Sequence, residues 1–165
     1  MPTIESTIEF IKKAHEGQVD KAGQPYYLHP IRVMRRLPDT TSEDAKLAAL
    51  LHDILEDTPY VKDDLYRFGY SQYTIDIVEL LTNKPGETYL DKIKVIINSG
   101  NRGAILGKCA DIRDNLDPAR LRKLPREDRE RLVRKYVPAF ELLSEAVFSK
   151  IYQPHNGFEL MGLWR

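Results

Sequence analysis

The run LLHDILEDT, residues 50–58, carries an apolar helix face straight into four ionisable side chains, His52, Asp53, Glu56 and Asp57. Leu47, Leu50, Leu51 and Ile54 recur at helical spacing, which predicts a helix from Ser42 to Leu55. Thr41 with Asp44 resembles a capping box at its start. Ionisable groups at the end of a buried helix need partners, because isolated buried charge is costly. Residues three and four apart share a helix face, so His52 is expected near Glu56, and Asp53 near both Glu56 and Asp57. A divalent cation would relieve the crowding of carboxylates and use neutral imidazole as a ligand. Read alone, the stretch also fits a capped, solvated helix end.

Helical periodicity extends in both directions. Ile4, Ile8, Ile11 and Ala14 predict a first helix over Ile4–His15, and GQVDKAGQPYY after it reads as a loop. His29-Pro30 opens a second helix through Arg36, with Pro30 at a tolerated first-turn position. Thr58 is expected to cap a short helix ending near Gly69. Further helices are predicted over Ser71–Thr82, Thr88–Asn98 and Ala104–Leu116, with NSGN as a break. A loop through Asp117-Pro118 and Leu124-Pro125 leads to a long helix, Arg126–Phe148, which Pro138 is expected to kink. No β-alternation, repeat or low-complexity segment stands out. The expected fold is all-α, a compact single-domain bundle of about eight helices. The domain is expected to span residues 1–165, with its core over 4–148. The tail, 149–165, carries Phe158, Leu160, Leu163 and Trp164, which fit packing on the body or on a partner in a homo-oligomer.

Bulk composition narrows the function. The 25 basic and 25 acidic residues cancel, which argues against a generic nucleic-acid binder. A single cysteine, Cys109, excludes an internal disulfide, and it reads as a small buried hydrophobe. No stretch approaches the roughly 18 apolar residues of a membrane span, and the N-terminus lacks the pattern of a signal peptide. A cytoplasmic protein with no membrane partner is expected.

Two further elements could carry chemistry. His29 precedes a helix start, where loop-to-helix geometry can hold an imidazole, although such a residue also serves as a cap or surface group. In GKCADIRDNL, residues 107–116, Lys108, Asp111 and Asn115 stand at spacings of three and four and share one helix face. Asp111 could face inward, or pair with Lys108 or Arg113. His15 reads as a helix-terminal residue and His155 as exposed. Tyr26, Tyr27 and Tyr89 fit either a cleft lining or core packing. The run REDRERLVRK reads as a solvated helix face with internal ion pairs.

Taken together, the order H…HD…D, carried by His29, His52-Asp53 and Asp111, resembles the HD superfamily of metal-dependent phosphohydrolases. The texts AHEGQVDKAGQPYYLHP, AALLHDILEDT, LT at 81–82 and KCADIRDNL more closely resemble the hydrolase domain of Rel/Spo-type stringent-response enzymes and small stand-alone alarmone hydrolases. The resemblance spans residues 4–147 and implies a (p)ppGpp 3′-pyrophosphohydrolase with no synthetase activity. It implies His29, His52, Asp53 and Asp111 as metal ligands, with manganese as the ion. Two imidazoles and two carboxylates suit manganese or iron, and zinc as an alternative. It implies Glu56 and Asp57 as the pair that positions or deprotonates the attacking water. Asn115 and Lys21 match substrate contacts, and Lys108 is added here as a phosphate-neutralising group or a partner of Asp111.

The substrate region departs from the family pattern. Position 20 is commonly an arginine that packs on the purine, and here it is Asp20. Ala22 stands where a small hydroxyl residue is common, and Ile112 where a basic residue often follows the aspartate. The alternatives are therefore a phosphohydrolase for another nucleotide, or a non-catalytic nucleotide or metal sensor.

Overall fold

Thr3 accepts a hydrogen bond from the Ser6 amide and starts α1 (Ile4–Ala14), and similar side-chain caps set most later starts. The computed structural model describes residues 1–151, with side chains to residue 148. The elements that follow are α2 (Leu28–Arg35), α3 (Glu43–Leu51), α4 (Ile54–Asp57), α5 (Lys62–Arg67), α6 (Gln72–Leu81), α7 (Tyr89–Ser99), α8 (Arg102–Asn115), α9 (Pro118–Leu121) and α10 (Arg126–Ile151). Among the described residues there is no strand beyond an isolated bridge between Val19 and Pro25. The all-α bundle expected from the sequence is the fold observed. Among the described residues no helix is long and apolar enough to cross a membrane.

Helix α3 is the hub, packed against α1, α2, α6 and α8. Leu50, Leu51 and Ile54 are essentially inaccessible to solvent, and each contributes up to about 1.5–3 kcal/mol by burial. Helix α8 lies close to α3 and α6 because residue 103 is glycine. A Cβ there would stand 2.6 Å from Ile77 Cδ1 and 3.1 Å from Ala45 Cβ. That close approach brings the Asp111 face of α8 up to the ends of α2 and α3.

Several boundaries differ from expectation. The helix predicted over Ser42–Leu55 stops at Leu51, and a new turn begins at Ile54. The His52 ring folds back and its Nδ1 lies 2.8 Å from the Ala49 carbonyl, satisfying one of the last acceptors of α3. Asp53 sits at φ −102°, ψ 0°, the bridge region between helix and strand. Ser42, not Thr41, caps α3. Thr58 donates to the Ile54 carbonyl, and α5 starts instead where the Asp64 carboxylate accepts the Val61 amide at 3.0 Å. Asn101 caps α8, which therefore starts two residues earlier than predicted. Asp117 caps the extra turn α9, with Pro118 at its first position. Helix α10 continues through Pro138. The apolar tail expected to form a partner surface, and His155, lie outside the described residues.

Candidate metal and substrate site

Four of the sequence-predicted residues meet where α2, the α3–α4 break and α8 converge. His29, His52 and Asp53 each offer a ligand atom, and these atoms lie within 4.8 Å of one another. His52 Nε2 is 2.9 Å and His29 Nε2 3.7 Å from Asp53 Oδ2. Asp111 Oδ1 stands 3.3 Å from His29 Nε2 and 3.8 Å from His52 Nε2. Two donors bound to one ion at about 2.1 Å stand roughly 3.0 Å apart at a right angle and 3.4 Å apart at a tetrahedral angle. The observed separations span that range.

The tautomers agree with an ion at this point. His29 Nδ1 donates to Asp114 Oδ2 at 2.8 Å, and His52 Nδ1 donates to the Ala49 carbonyl at 2.8 Å. Both rings therefore turn Nε2 inward, the nitrogen that outer hydrogen bonds of this kind leave for a metal once its proton is displaced. His52 Nε2 is buried and makes no hydrogen bond within the protein. These residues can hold a divalent cation.

Charge in this pocket is tightly balanced. Burial works against a proton on His29, yet hydrogen bonds to Asp111 and Asp114 outweigh it and lift its pKa to about 9. Burial likewise opposes ionisation of Asp53, but His52 and then His29 hold it well below the usual carboxylate range. Asp111 is held down by Lys108 and His29 against the same burial penalty. A cation would replace the imidazole protons as the positive partner, so its binding competes with protons.

Beyond the break, Glu56 and Asp57 are exposed and their carboxylates diverge. Glu56 is turned to Asn83, accepting its backbone amide at 2.8 Å and its Nδ2 at 2.7 Å. Asp57 Oδ2 is 2.9 Å from the Tyr26 hydroxyl, which lies 2.6 Å from Asp53 Oδ2. The expected pairing of His52 with Glu56 is lost because the helix breaks between them. On α8, Lys108 is buried with its Nζ 2.9 Å from Asp111 Oδ2, and Asn115 Nδ2 donates to Asp111 Oδ1 at 2.7 Å. Lys21 is exposed and shares a small depression with Asn115, Arg120 and Leu124.

Two features escaped the sequence reading. The first is Asp114, fully buried and joined by Arg32 Nε at 2.9 Å, Arg36 Nε at 3.2 Å and Arg120 Nη1 at 2.5 Å as well as by His29. The second is the role of Asp20. Its Oδ1 accepts the amides of Ala22 at 2.9 Å and Gln24 at 3.0 Å, and its Oδ2 lies 3.1 Å from Arg120 Nη2. Asp20 is a loop anchor paired with arginine, not a free carboxylate in the cleft. Only the spacing of Asp20 from Ala22 and Gln24, typical of an Asx turn, hinted at this.

Fold and site together give an all-helical domain in which two histidines and two aspartates meet at one point. No family model matches the chain. In sequence it is 43% identical over 93 residues to a GTP pyrophosphokinase of Streptomyces antibioticus, a stretch covering 55% of this chain and 10% of that protein. It is 40% identical over 85 residues to a guanosine-3′,5′-bis(diphosphate) 3′-pyrophosphohydrolase of Haemophilus influenzae, covering 50% of this chain and 11% of the relative. With the bifunctional (p)ppGpp synthase/hydrolase SpoT of Escherichia coli the identity is 39% over 85 residues, again 50% and 11% of the two chains. The chain thus spans about a tenth of the length of the curated relatives it matches. Its fold is shared with a metazoan ortholog of SpoT described as hydrolysing ppGpp, at a TM-score of 0.65 and 24% identity over 89% of this chain and 96% of that one. The resemblance to the hydrolase domain of Rel/Spo-type enzymes therefore holds in sequence and in fold.

Proposed function

We propose that the chain is a metal-dependent phosphohydrolase that removes pyrophosphate from the 3′ position of a (p)ppGpp-type guanosine nucleotide, acting as one domain over residues 1–165 in the cytoplasm. The observation that carries this reading is the convergence of two inward Nε2 atoms with two carboxylates, one of those nitrogens buried without a hydrogen bond. His29, His52, Asp53 and Asp111 would hold the cation, and their nitrogen and oxygen donors suit manganese, with iron or zinc as alternatives. When bound, the ion supplies a Lewis acid that makes a nearby water more acidic and polarises a phosphoryl oxygen.

The chain's own residues supply the rest. Glu56, aimed by both donors of Asn83, accepts the proton of the attacking water. Asp57, with Tyr26 between it and Asp53, holds the water in line. The water oxygen bonds to phosphorus, the bond from phosphorus to the ribose 3′ oxygen breaks, and that oxygen collects a proton as pyrophosphate leaves. Lys21 and Asn115 contact the nucleotide, and Lys108 neutralises charge through Asp111. Asp20 favours another nucleotide because it replaces an arginine that packs on the purine; its ion pair with Arg120 takes away the free carboxylate but supplies no such arginine.

Incubating the protein with guanosine tetraphosphate and manganese tests the reading. Pyrophosphate and guanosine 5′-diphosphate are the expected products. Release of orthophosphate, or turnover confined to a different nucleotide, contradicts it.

A further inference from the structure

Between α6 and α7 lies a cavity of about 400 Å³ whose lining includes none of the residues assigned above to the cation or the nucleotide. That volume is within the range of small-molecule clefts. On α6, Asp76 and Leu80 stand four residues apart and share one face, and on α7 Lys92 and Val95 stand three apart and do the same. Leu55 of α4 forms a further wall.

Lys92 is only 1% exposed, and a lysine is almost never so buried unless it is paired. Its ion pair among the described residues is to Glu87 Oε2 at 3.4 Å, longer than the about 2.7–2.9 Å of a charge-assisted hydrogen bond. An ammonium carries three donors, so Lys92 keeps capacity for a second anion. Asp76 supplies the opposite sign. Its Oδ1 accepts from Gln72 at 2.6 Å, and no cation pairs with it among the described residues. Glu79, one turn further along α6, is already committed to Lys62 at 2.7 Å. Leu55, Leu80 and Val95 leave hydrocarbon on the other walls. A simple anion would meet Asp76 and a simple cation would meet Lys92, so the lining selects for a ligand that carries both charges.

We infer that this cavity binds a small zwitterion with a hydrocarbon body, the chemistry of a free α-amino acid with an aliphatic side chain, its carboxylate on Lys92 and its ammonium on Asp76. The occupant also bears on Glu56. Leu55 immediately precedes Glu56, and Thr82 and Lys84, which line the same cavity, flank Asn83, whose amide and side chain hold the Glu56 carboxylate. Binding is therefore coupled to the position of Glu56. The coupling rests on the hydrolase reading above, and the binding does not.

The test titrates the full chain by calorimetry with L-leucine, with 4-methylpentanoate, which lacks the ammonium, with 3-methylbutylamine, which lacks the carboxylate, and with glycine, which lacks the side chain. Leucine should bind, and each of the other three should bind about tenfold more weakly or worse. Asp76→Asn keeps the acceptor for Gln72. It should weaken leucine about tenfold or more while binding 4-methylpentanoate at least as well as wild type, an exchange that a misfolded variant would not show. Lys92→Met, which keeps an apolar stem, should weaken leucine to the same degree and spare 3-methylbutylamine. No binding of leucine, equal binding of glycine, or unchanged leucine affinity in either variant overturns the site. In hydrolysis of guanosine tetraphosphate with manganese, saturating leucine should change the wild-type kcat about fivefold or more and leave that of Asp76→Asn unchanged. A wild-type kcat indifferent to bound leucine overturns the coupling. If wild type hydrolyses nothing, the hydrolase reading fails, and the calorimetry alone decides the site.

Discussion

His29 Nδ1 stands 2.8 Å from Asp114 Oδ2, and that carboxylate is buried beneath three arginines. The contact sets the tautomer and the orientation of an inward Nε2. Asp114→Asn keeps an acceptor but loses the charge that orients the ring and balances Arg32, Arg36 and Arg120. Manganese affinity should fall about 10- to 100-fold, as measured by calorimetric titration. Asp114→Ala should also destabilise the fold by about 3–5 kcal/mol, because buried charges lose their partner. Unchanged manganese affinity in the Asn variant would remove Asp114 from the account.

Glu56 and Asn83 form a second such pair. Glu56→Gln should reduce kcat by about 10²- to 10⁴-fold, the usual range for a general base, while manganese binding stays intact. Asn83→Ala releases both donors from the carboxylate and should reduce kcat by up to about 10²-fold through misplacement alone. Steady-state kinetics at saturating manganese check both, and a Glu56→Gln enzyme with wild-type kcat would assign the proton transfer elsewhere.

Asp20 yields a pH signature. Burial raises its pKa, but the amides of Gln24 and Ala22 and the charges of Arg120 and Arg32 outweigh that and leave it lowered. A lowered folded-state pKa contributes stability that is present above the unfolded value, about 3.9, and is lost as pH falls through the folded value. Asp20→Asn keeps an acceptor for the turn amides and loses the ion pair. Its stability deficit, measured by urea unfolding, should be full at pH 7 and shrink below about pH 4. A deficit independent of pH would mean that the charge is not what anchors the loop.

Gly103 controls the approach of α8. Alanine there gains about 1 kcal/mol in helix propensity, but its Cβ would lie 2.6 Å from the buried Ile77 Cδ1, and overpacking of that kind costs about 1–3 kcal/mol. Gly103→Ala should therefore lower the urea midpoint or leave it flat, and a clear rise would show that Ile77 can give way.

Much of this was legible in the sequence, for identifiable reasons. Ser71 and Thr88 mark helix starts because a hydroxyl cap is a local signal, and both cap their helices as the periodicity implied. The order of His29, His52-Asp53 and Asp111 was legible as a pattern before any distance was known. The break at His52 was not, since the apolar period runs on through Ile54 and the stop comes from a ring folded back on Ala49. Asn101 was hidden because NSGN ends one helix and starts the next within four residues. Asp114 joins residues 78–85 positions away, a link that no local spacing reports.

The most direct test of the central claim is pyrophosphate release from guanosine tetraphosphate as a function of manganese, with wild type and Asp53→Ala side by side. Wild type should turn over only with the ion, stop on chelation and resume when manganese is restored. Asp53→Ala should stay inactive at manganese levels that saturate wild type. Release that persists in chelator, or that survives in Asp53→Ala, would contradict a cation held by His29, His52, Asp53 and Asp111 as the centre of the reaction.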